Sequence, residues 1–427
     1  MACGSFADLP GDIVRIVADR AAVECRPRMR AVCSAWSAAV PVEPQPPWIL
    51  LQPDDDTEGE GFTVLSLPAK SGKLSPVTSP VVRCLNAFLA APRCVGAGHG
   101  WLALVGADLS VTLVNPISTE PGRAVSLPPL TRHPMAAAGV REDGRVTWSG
   151  KFGTWSYPGK HVSTGEFRDM VVRKVVFAAR PRQDGYFAVA VSAGCPGSCV
   201  YAMYARTGSA AWETLRDAHG RAVSLVHDVV HVDGGRFLDV MRCHGRVMEV
   251  DLAADSPTFS LFAGPLASAE SGAVSFFGSA DMNVENHLAL VEGVLYQVWV
   301  SWAGDRVPEE QDAAKEFNRY RIEDAGVLRC DPELPTSWSE AADLGDWAVF
   351  IGRNETVAVR ATDVPWVTSS CLYFIDSRLE GVICAFDLRS GQQVPVEVET
   401  TASCAMARSN KLRLSTAPPV WFLPSLK

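Results

Sequence analysis

The sequence predicts a mainly β protein, a single β-propeller of six or seven blades over residues 48–427, preceded by a small α-helical domain at residues 5–40. Three observations carry this prediction. Helical periodicity is confined to the N-terminal segment, a proline-rich linker at residues 41–47 ends it, and beyond the linker short apolar runs alternate with turn residues.

In the N-terminal segment, Pro10 suits a first helical turn, and Ile13, Ile16 and Val17 follow at helical spacing. A second stripe, Met29, Val32, Cys33 and Trp36, has the i, i+3, i+4, i+7 pattern of one amphipathic helix with Pro27 near its start. Two short helices of this size cannot bury their apolar stripes alone, so a partner is expected to cover them. Pro41, Pro44, Pro46 and Pro47 then forbid helix and favour an extended linker.

After the linker the apolar runs are short: Trp101–Val105, Val175–Ala178, Tyr186–Val191, Val200–Tyr204, Val226–Val232, Arg236–Met241 and Arg246–Leu252. Leu288–Trp302, Ala348–Ile351 and Leu372–Ile375 continue the series, with Asp233-Gly234-Gly235 and His244-Gly245 as hairpin turns. A charged stretch, Pro308–Glu316, reads as a helical insertion. Three strand ends look alike: Val111-Thr-Leu-Val-Asn115, Val247-Met-Glu-Val-Asp251 and Ile383-Cys-Ala-Phe-Asp387. Their spacing is constant, since 251 − 115 = 136 and 387 − 251 = 136. With Val200–Tyr204 falling between them, the repeat reads as three units of about 45 residues, the length of a propeller blade. A ring must join its first and last blades, so Trp48–Leu51 and Val420–Leu423 are expected to share a blade or lie in neighbouring ones.

Composition limits the functions available. The chain has 427 residues, 47% of them hydrophobic, enough for a large core in a soluble globular protein. With 39 Lys+Arg against 48 Asp+Glu the net charge is −9, the wrong sign for neutralising phosphates, so nucleic acid is not an expected partner. The most apolar long stretch, Tyr186–Ala205, is interrupted by Cys195-Pro196-Gly197, so no membrane span is expected. Twelve scattered cysteines without a secretory leader fit a reducing compartment, cytoplasm or nucleus.

Signals for chemistry are sparse. His227 and His231 share a strand face, but a metal site needs a third ligand and none is visible in the pattern. Cys195 and Cys199 flank a Pro-Gly turn with no second pair. Gly96-x-Gly98-x-Gly100 precedes a strand instead of a phosphate-binding helix, and Ser71-Gly72-Lys73 lacks the rest of a phosphate loop. The acidic runs at 54–60 and 309–312 lie in polar surroundings that keep carboxylates hydrated. No catalytic residue, metal or cofactor is expected.

Two stretches resemble known families. Leu9-Pro10, Ile13-Val14 and Val17, followed by Arg28-Met-Arg-Ala-Val32-Cys33-Ser-Ala-Trp36, resemble an F-box with its Val-Cys-x-x-Trp signature. That resemblance implies a surface formed by Leu9, Pro10, Ile13, Val14, Val17, Val32 and Trp36 that holds a Skp-type adaptor, and through it a cullin. The remainder resembles the KIB-type β-propeller of plant F-box proteins. The matching runs are Gly98-His-Gly-Trp-Leu102, Leu113-Val-Asn-Pro116, Leu127-Pro-Pro129, Lys174-Val-Val-Phe177, Trp212-Glu-Thr-Leu215, His287–Glu292, Trp338-Ser-Glu340, Leu344-Gly-Asp346, Phe350–Asn354 and Leu372–Asp376. Together they imply a substrate receptor of a ubiquitin ligase that catalyses no bond change itself. The alternatives are a propeller enzyme, hydrolase or oxidoreductase, and a binding module that no longer recruits a ligase.

Overall fold

The computed structural model describes residues 9–21, 25–30, 32–40, 46–52, 62–66, 73–76, 92–117, 124–132, 136–140, 145–148, 151–152, 155–156, 160–179, 181–182, 184–192, 202–217, 219–223, 226–241, 246–264, 284–304, 320–331, 338–352, 354–376, 382–396, 399–400 and 419–424. The Cys195/Cys199 and His244-Gly245 turns, the expected helix at 308–316, the acidic runs and most of the linker lie outside these residues. Among the described residues no helix is long and apolar enough to cross a membrane.

The N-terminal segment forms three helices, α1 (Gly11–Arg20), α2 (Arg26–Arg30) and α3 (Ser34–Ala39), where two were expected. Pro10 stands just before α1 with extended backbone, and Asp12 and Arg20 place acid at its start and base at its end, in the favourable sense of the helix dipole. The second expected helix breaks because Cys33 is extended and begins α3 anew, while Val32 N–H closes α2 by a tight bond to Met29 O. Val14 and Ala18, one turn apart on α1, pack with Trp36 and Val40 into a small core edged by Leu9, Met29, Cys33 and Ala39. Arg30 donates to Val40 O at 2.8 Å and ties the helices together.

Beyond them the described strands pair antiparallel, apart from two short parallel pairings. Blade 2 runs Arg93–Gly98, Trp101–Val105, Val111–Val114, Ala124–Leu127 from its innermost strand outward. Blade 3 is Lys174–Phe177, Phe187–Val191, Ala202–Arg206, Glu213–Thr214, and blade 4 is Val226–Asp233, Arg236–Met241, Val247–Asp251, Thr258–Ala263. Blade 5 is Val284–Val291, Val294–Gly304, Tyr320–Cys330, Trp338–Ala341. Its first two strands correct the expectation of one strand over Leu288–Trp302, because Glu292 and Gly293, with φ of 50° and 81°, make a hairpin turn in the middle.

Blade 6 is irregular. Val357–Arg360 pairs with Trp347–Phe350, which runs parallel to Cys371–Asp376 before the antiparallel Val382–Asp387 and Gln392–Pro395. Blade 1 closes the ring from both ends of the chain. Trp48–Leu51, Thr63–Ser66 and Lys73–Pro76 come from the N-terminal side, Val420–Phe422 adds the innermost strand, and Glu399–Thr400 lies on the outer edge. The expected pairing is present, with Trp48 opposite Phe422, Ile49 opposite Trp421 and Leu50 opposite Val420.

Six buried clusters settle the blade number. Each joins two neighbours: blades 1 and 2 through Trp48, Phe62 and Leu104, blades 2 and 3 through Leu113, Val175 and Trp212, and blades 3 and 4 through Val189, Phe237 and Val250. Leu238 and Leu288 join blades 4 and 5, Val298 and Phe374 blades 5 and 6, and Phe350 and Trp421 blades 6 and 1. A further sheet, Ala136–Val140, Arg145–Trp148 and Lys160–Ser163, with helix α4 (Thr164–Val171), is inserted between blades 2 and 3 without interrupting the ring. Blade 3 packs directly on blade 2, and a Cβ on Gly96 would lie 2.0 Å from Val175 O.

The 136-residue interval therefore spans two blades, not three. Asn115, Asp251 and Asp387 end the next-to-outermost strands of blades 2, 4 and 6. Each side chain accepts the N–H two residues on, from Ile117 (3.1 Å), Ala253 (2.8 Å) and Arg389 (2.9 Å), so the likeness is genuine turn chemistry. The insertion after blade 2 and the long strands of blade 5 stretch the unit beyond about 45 residues.

Candidate functional site

The innermost strands of a propeller ring a central channel, and in blades 3, 4 and 5 they carry charge at positions where an ordinary buried strand would be apolar. Lys174 opens the inner strand of blade 3 and ion-pairs with Asp228 of blade 4; both are fully buried. The second Asp228 oxygen accepts Leu288 N–H at 2.9 Å and lies 3.9 Å from His287 Nδ1. His287 Nε2 is 3.6 Å from Glu285, which Arg173 holds at 3.0 Å. Burial opposes ionisation of Glu285, but Arg173 and the neighbouring imidazole overcome it and keep the carboxyl well below its usual range. Deeper in blade 5, Asn286 N–H donates to His227 Nδ1 at 3.2 Å, and Gln297 Nε2 donates to Asn286 Oδ1 at 3.0 Å.

A second polar group is built around Glu355. Its turn links Trp347–Phe350 to Val357–Arg360 in blade 6, yet its contacts are elsewhere. Glu355 N–H donates to Ala97 O of blade 2 at 3.0 Å, and its carboxylate accepts His231 N–H of blade 4 at 2.9 Å. His99, at the exposed tip of the blade 2 hairpin, places Nε2 3.4 Å from the other carboxylate oxygen and 3.2 Å from His231 Nδ1. Gly98 makes this approach possible, since a Cβ there would be 2.6 Å from Glu355 Oε2. Burial pushes the Glu355 carboxyl up to about 7, against the pull of His231 N–H and Lys174. The same burial lowers both imidazoles.

His227 and His231 share the inner strand of blade 4 but serve different partners, and among the described residues no group of three His, Cys, Asp or Glu could hold a metal ion. The glycines of Gly96-x-Gly98-x-Gly100 end a strand and enter a turn, as the sequence suggested. Lys174, Asp228, His99 and Glu355 escaped sequence reasoning. Asp228 left a trace, a charge among valines in a buried strand, whereas Glu355 left none because its partners are distant in sequence. Separately, a depression of about 340 Å³ lies between blades 2 and 3, lined by Leu127, Pro128, Pro129, Tyr186 and Ser209.

Of the expected adaptor-facing residues, Ile13, Val17 and Val32 are exposed by 40%, 44% and 50%, Pro10 is exposed and Leu9 is half-buried. Val14 and Trp36 are corrections: both are buried, at 1% and 8% exposure, and hold the helices together instead of lining a surface. Ile16, exposed by 45%, joins the outward face although it holds no position in the motif; its helical period with Ile13 and Val17 is the signal for it.

A family model described as the KIB1-4 beta-propeller matches residues 64–389, which is most of the chain. Among curated proteins none matches the sequence. Similar solved structures include a provisionally assigned 6-phosphogluconolactonase from Bacteroides uniformis (10% identity, 88% of this chain and 99% of that one, TM-score 0.33). A functionally unknown protein from Desulfotomaculum acetoxidans (8% identity, 89% and 99%, TM-score 0.32) and a puromycin-hydrolysing peptidase from Mycobacterium tuberculosis (12%, 84% and 45%, TM-score 0.27) are also similar. These likenesses are too distant to bring an activity to this chain. The family match and the six closed blades agree: the chain belongs to the KIB1-4 beta-propeller family.

Proposed function

We propose that this protein is the substrate receptor of a Skp–cullin–F-box ubiquitin ligase, in which α1–α3 bind the adaptor and the propeller binds the protein to be ubiquitinated. One observation carries the reading. Of the six large hydrophobic residues exposed among the described residues, four, Ile13, Ile16, Val17 and Val32, lie on the helical segment. So small a helical unit with four branched aliphatic side chains outward is built to be covered by another protein. The propeller supplies a rigid platform, and tethering a target beside a charged conjugating enzyme makes transfer effectively intramolecular.

In this reading the protein needs no catalytic group or cofactor, and it works in the cytoplasm or nucleus. A second reading, a propeller enzyme, draws on the titratable groups of the channel. Those groups are engaged with one another across blades, Lys174 with Asp228 and Arg173 with Glu285, which favours a structural part for them. The deciding experiment is affinity capture of the full chain with a recombinant Skp-type adaptor and cullin. Stoichiometric co-purification is expected; a chain that binds neither would remove the proposal.

A further inference from the structure

The chain's charge of −9 is unevenly shared around the ring. Residues 93–223, which build blades 2 and 3 and the sheet inserted between them, hold 15 Lys+Arg against 9 Asp+Glu, a balance of 15 − 9 = +6. Residues 226–395, which build blades 4 to 6, hold 12 against 27, a balance of 12 − 27 = −15. Two ion pairs cross the divide, Arg173 with Glu285 and Lys174 with Asp228, and setting them aside leaves 13 − 9 = +4 and 12 − 25 = −13. Blades follow one another around the ring in chain order, so opposite sides of the molecule carry opposite charge. The depression between blades 2 and 3 lies on the basic side, and its lining holds no charged residue. Arginines stand on the elements around it. Arg182 and Gly185 bridge the turn that leads into Tyr186, and Arg216 follows Trp212, whose indole N–H donates to Pro128 O at 2.8 Å. Arg145 adjoins Val146, which is buried in one cluster with Leu127, Tyr186 and Trp212. All three arginines are exposed. Of the acids on the blade 3 elements there, Glu213 accepts the Tyr204 hydroxyl, Asp217 is paired with Arg221, and Asp184 is exposed.

We propose that the target of this receptor docks on blades 2 and 3 through an acidic segment, with one apolar side chain seated in the depression and its carboxylates held by Arg145, Arg182 and Arg216. The proposal rests on the receptor reading for the partner's role, and on the charge and shape of this side for the partner's chemistry. The uncharged floor of Leu127, Pro128, Pro129 and Tyr186 suits an apolar side chain, whereas a carboxylate buried there would lack a partner. At the rim, guanidinium groups present forked donors that match carboxylates. At longer range the field orients the encounter, because an acidic partner is drawn to blades 2 and 3 and repelled by blades 4 to 6. A nucleic acid fits this side less well: a duplex continues with one charge per about 1.7 Å, past the arginines and onto the acidic blades. A short acidic segment ends before it meets them.

The test is fluorescence anisotropy of the full chain with a labelled, end-blocked peptide, Glu-Asp-Glu-Leu-Glu-Asp-Glu, at about 50 and 500 mM salt. Saturable binding is expected at the lower salt and about tenfold weaker binding at the higher. Replacing the peptide's leucine by glycine should weaken it about tenfold, since the depression is then left empty. Arg182→Glu with Arg216→Glu, both at exposed positions, should lose at least about tenfold with circular dichroism unchanged. Arg329→Glu makes the same kind of charge change at an exposed position of blade 5 and should alter binding less than about twofold. The proposal is overturned by an absence of saturable binding, by equal binding of the peptide with lysine in place of its acids, by indifference to the leucine, or by equal effects of the blade 3 and blade 5 variants. Tighter binding of an oligouridine through the same arginines would also overturn it, in favour of a nucleic-acid site. Adaptor capture is scored separately on the same protein, so failure there with peptide binding intact removes the ligase reading and supports the docking site alone.

Discussion

Trp48 and Phe422, from opposite ends of the propeller sequence, stand across from each other in one antiparallel ladder with their rings edge to face at 6.0 Å. Next to them Trp421 is 1% exposed and meets Phe350 of blade 6 at 4.9 Å, so the last strand seals blade 1 to its neighbour as well as to itself. Trp421→Ala is therefore expected to cost about 3–5 kcal/mol in urea unfolding. Leu423→Ala, one strand-end away and 36% exposed, should stay within about 0.5 kcal/mol. Equal effects of the two would mean that the strand does not close the ring.

On the helical segment the outward and inward residues should separate cleanly. Ile13→Asp with Val17→Asp is expected to abolish capture of a Skp-type adaptor while circular dichroism remains that of wild type, because both side chains are exposed and a carboxylate costs several kcal/mol only once covered. Val14→Asp should instead unfold the helices, since Val14 is in their core. Undiminished capture by the double variant would remove the interface.

How far the sequence disclosed these features depended on how local their causes are. The helix stripe, the strand grammar and the two apolar segments that close the ring were legible because each is written in neighbouring residues. Val14 and Trp36 were misplaced because a motif identifies residues without saying which side of a three-helix core they occupy. The six blades fall within the expected number, but the unit of about 45 residues failed at the 136-residue interval, where the inserted sheet lengthens a repeat that Asn115, Asp251 and Asp387 mark truly. Glu355 was invisible, since nothing near it in the chain announces Ala97, His99 or His231.

A buried acid in blade 4 gives a pH prediction. Burial pushes Asp239 up to about 8 from the usual 3.8, against a weaker opposing contact from the Met248 backbone. The folded chain thus holds a proton that the unfolded chain releases, so this group stabilises most below pH 4 and its contribution is lost as pH rises through 8. Urea midpoints should fall between pH 5 and 8, and Asp239→Asn should remove up to about 4 kcal/mol of that slope. An identical slope in the variant would contradict the burial assigned to Asp239.

Two glycines should behave oppositely. Gly96→Ala drives a Cβ to 2.0 Å from Val175 O, where backbone of the next blade must move, and is expected to cost upward of about 2 kcal/mol. At Gly185 no atom lies within 4 Å of the added carbon, and alanine should be neutral or slightly stabilising. Thermal unfolding of both variants decides the matter; a tolerated Gly96→Ala would place blades 2 and 3 further apart than described.

Removing one partner of the buried Lys174–Asp228 pair should be worse than removing both charges. Lys174→Met strands a buried carboxylate and is expected to cost about 3–5 kcal/mol, whereas Lys174→Met with Asp228→Asn should recover a large part of it. Additive losses in the double variant would show that the two groups do not act as a pair.

The strand that completes blade 1 comes after every other blade in the chain, and this shapes the molecule's birth. Trp48–Leu51 leaves the ribosome first among the strands and then waits for roughly 370 residues to be translated, about 20–70 s at ordinary elongation rates. Hairpins form in microseconds, so blades 2 to 6 can each assemble as they emerge while the first keeps an open apolar edge. A nascent chain is thus an arc until its final segment arrives, and translation halted before residue 420 leaves it one.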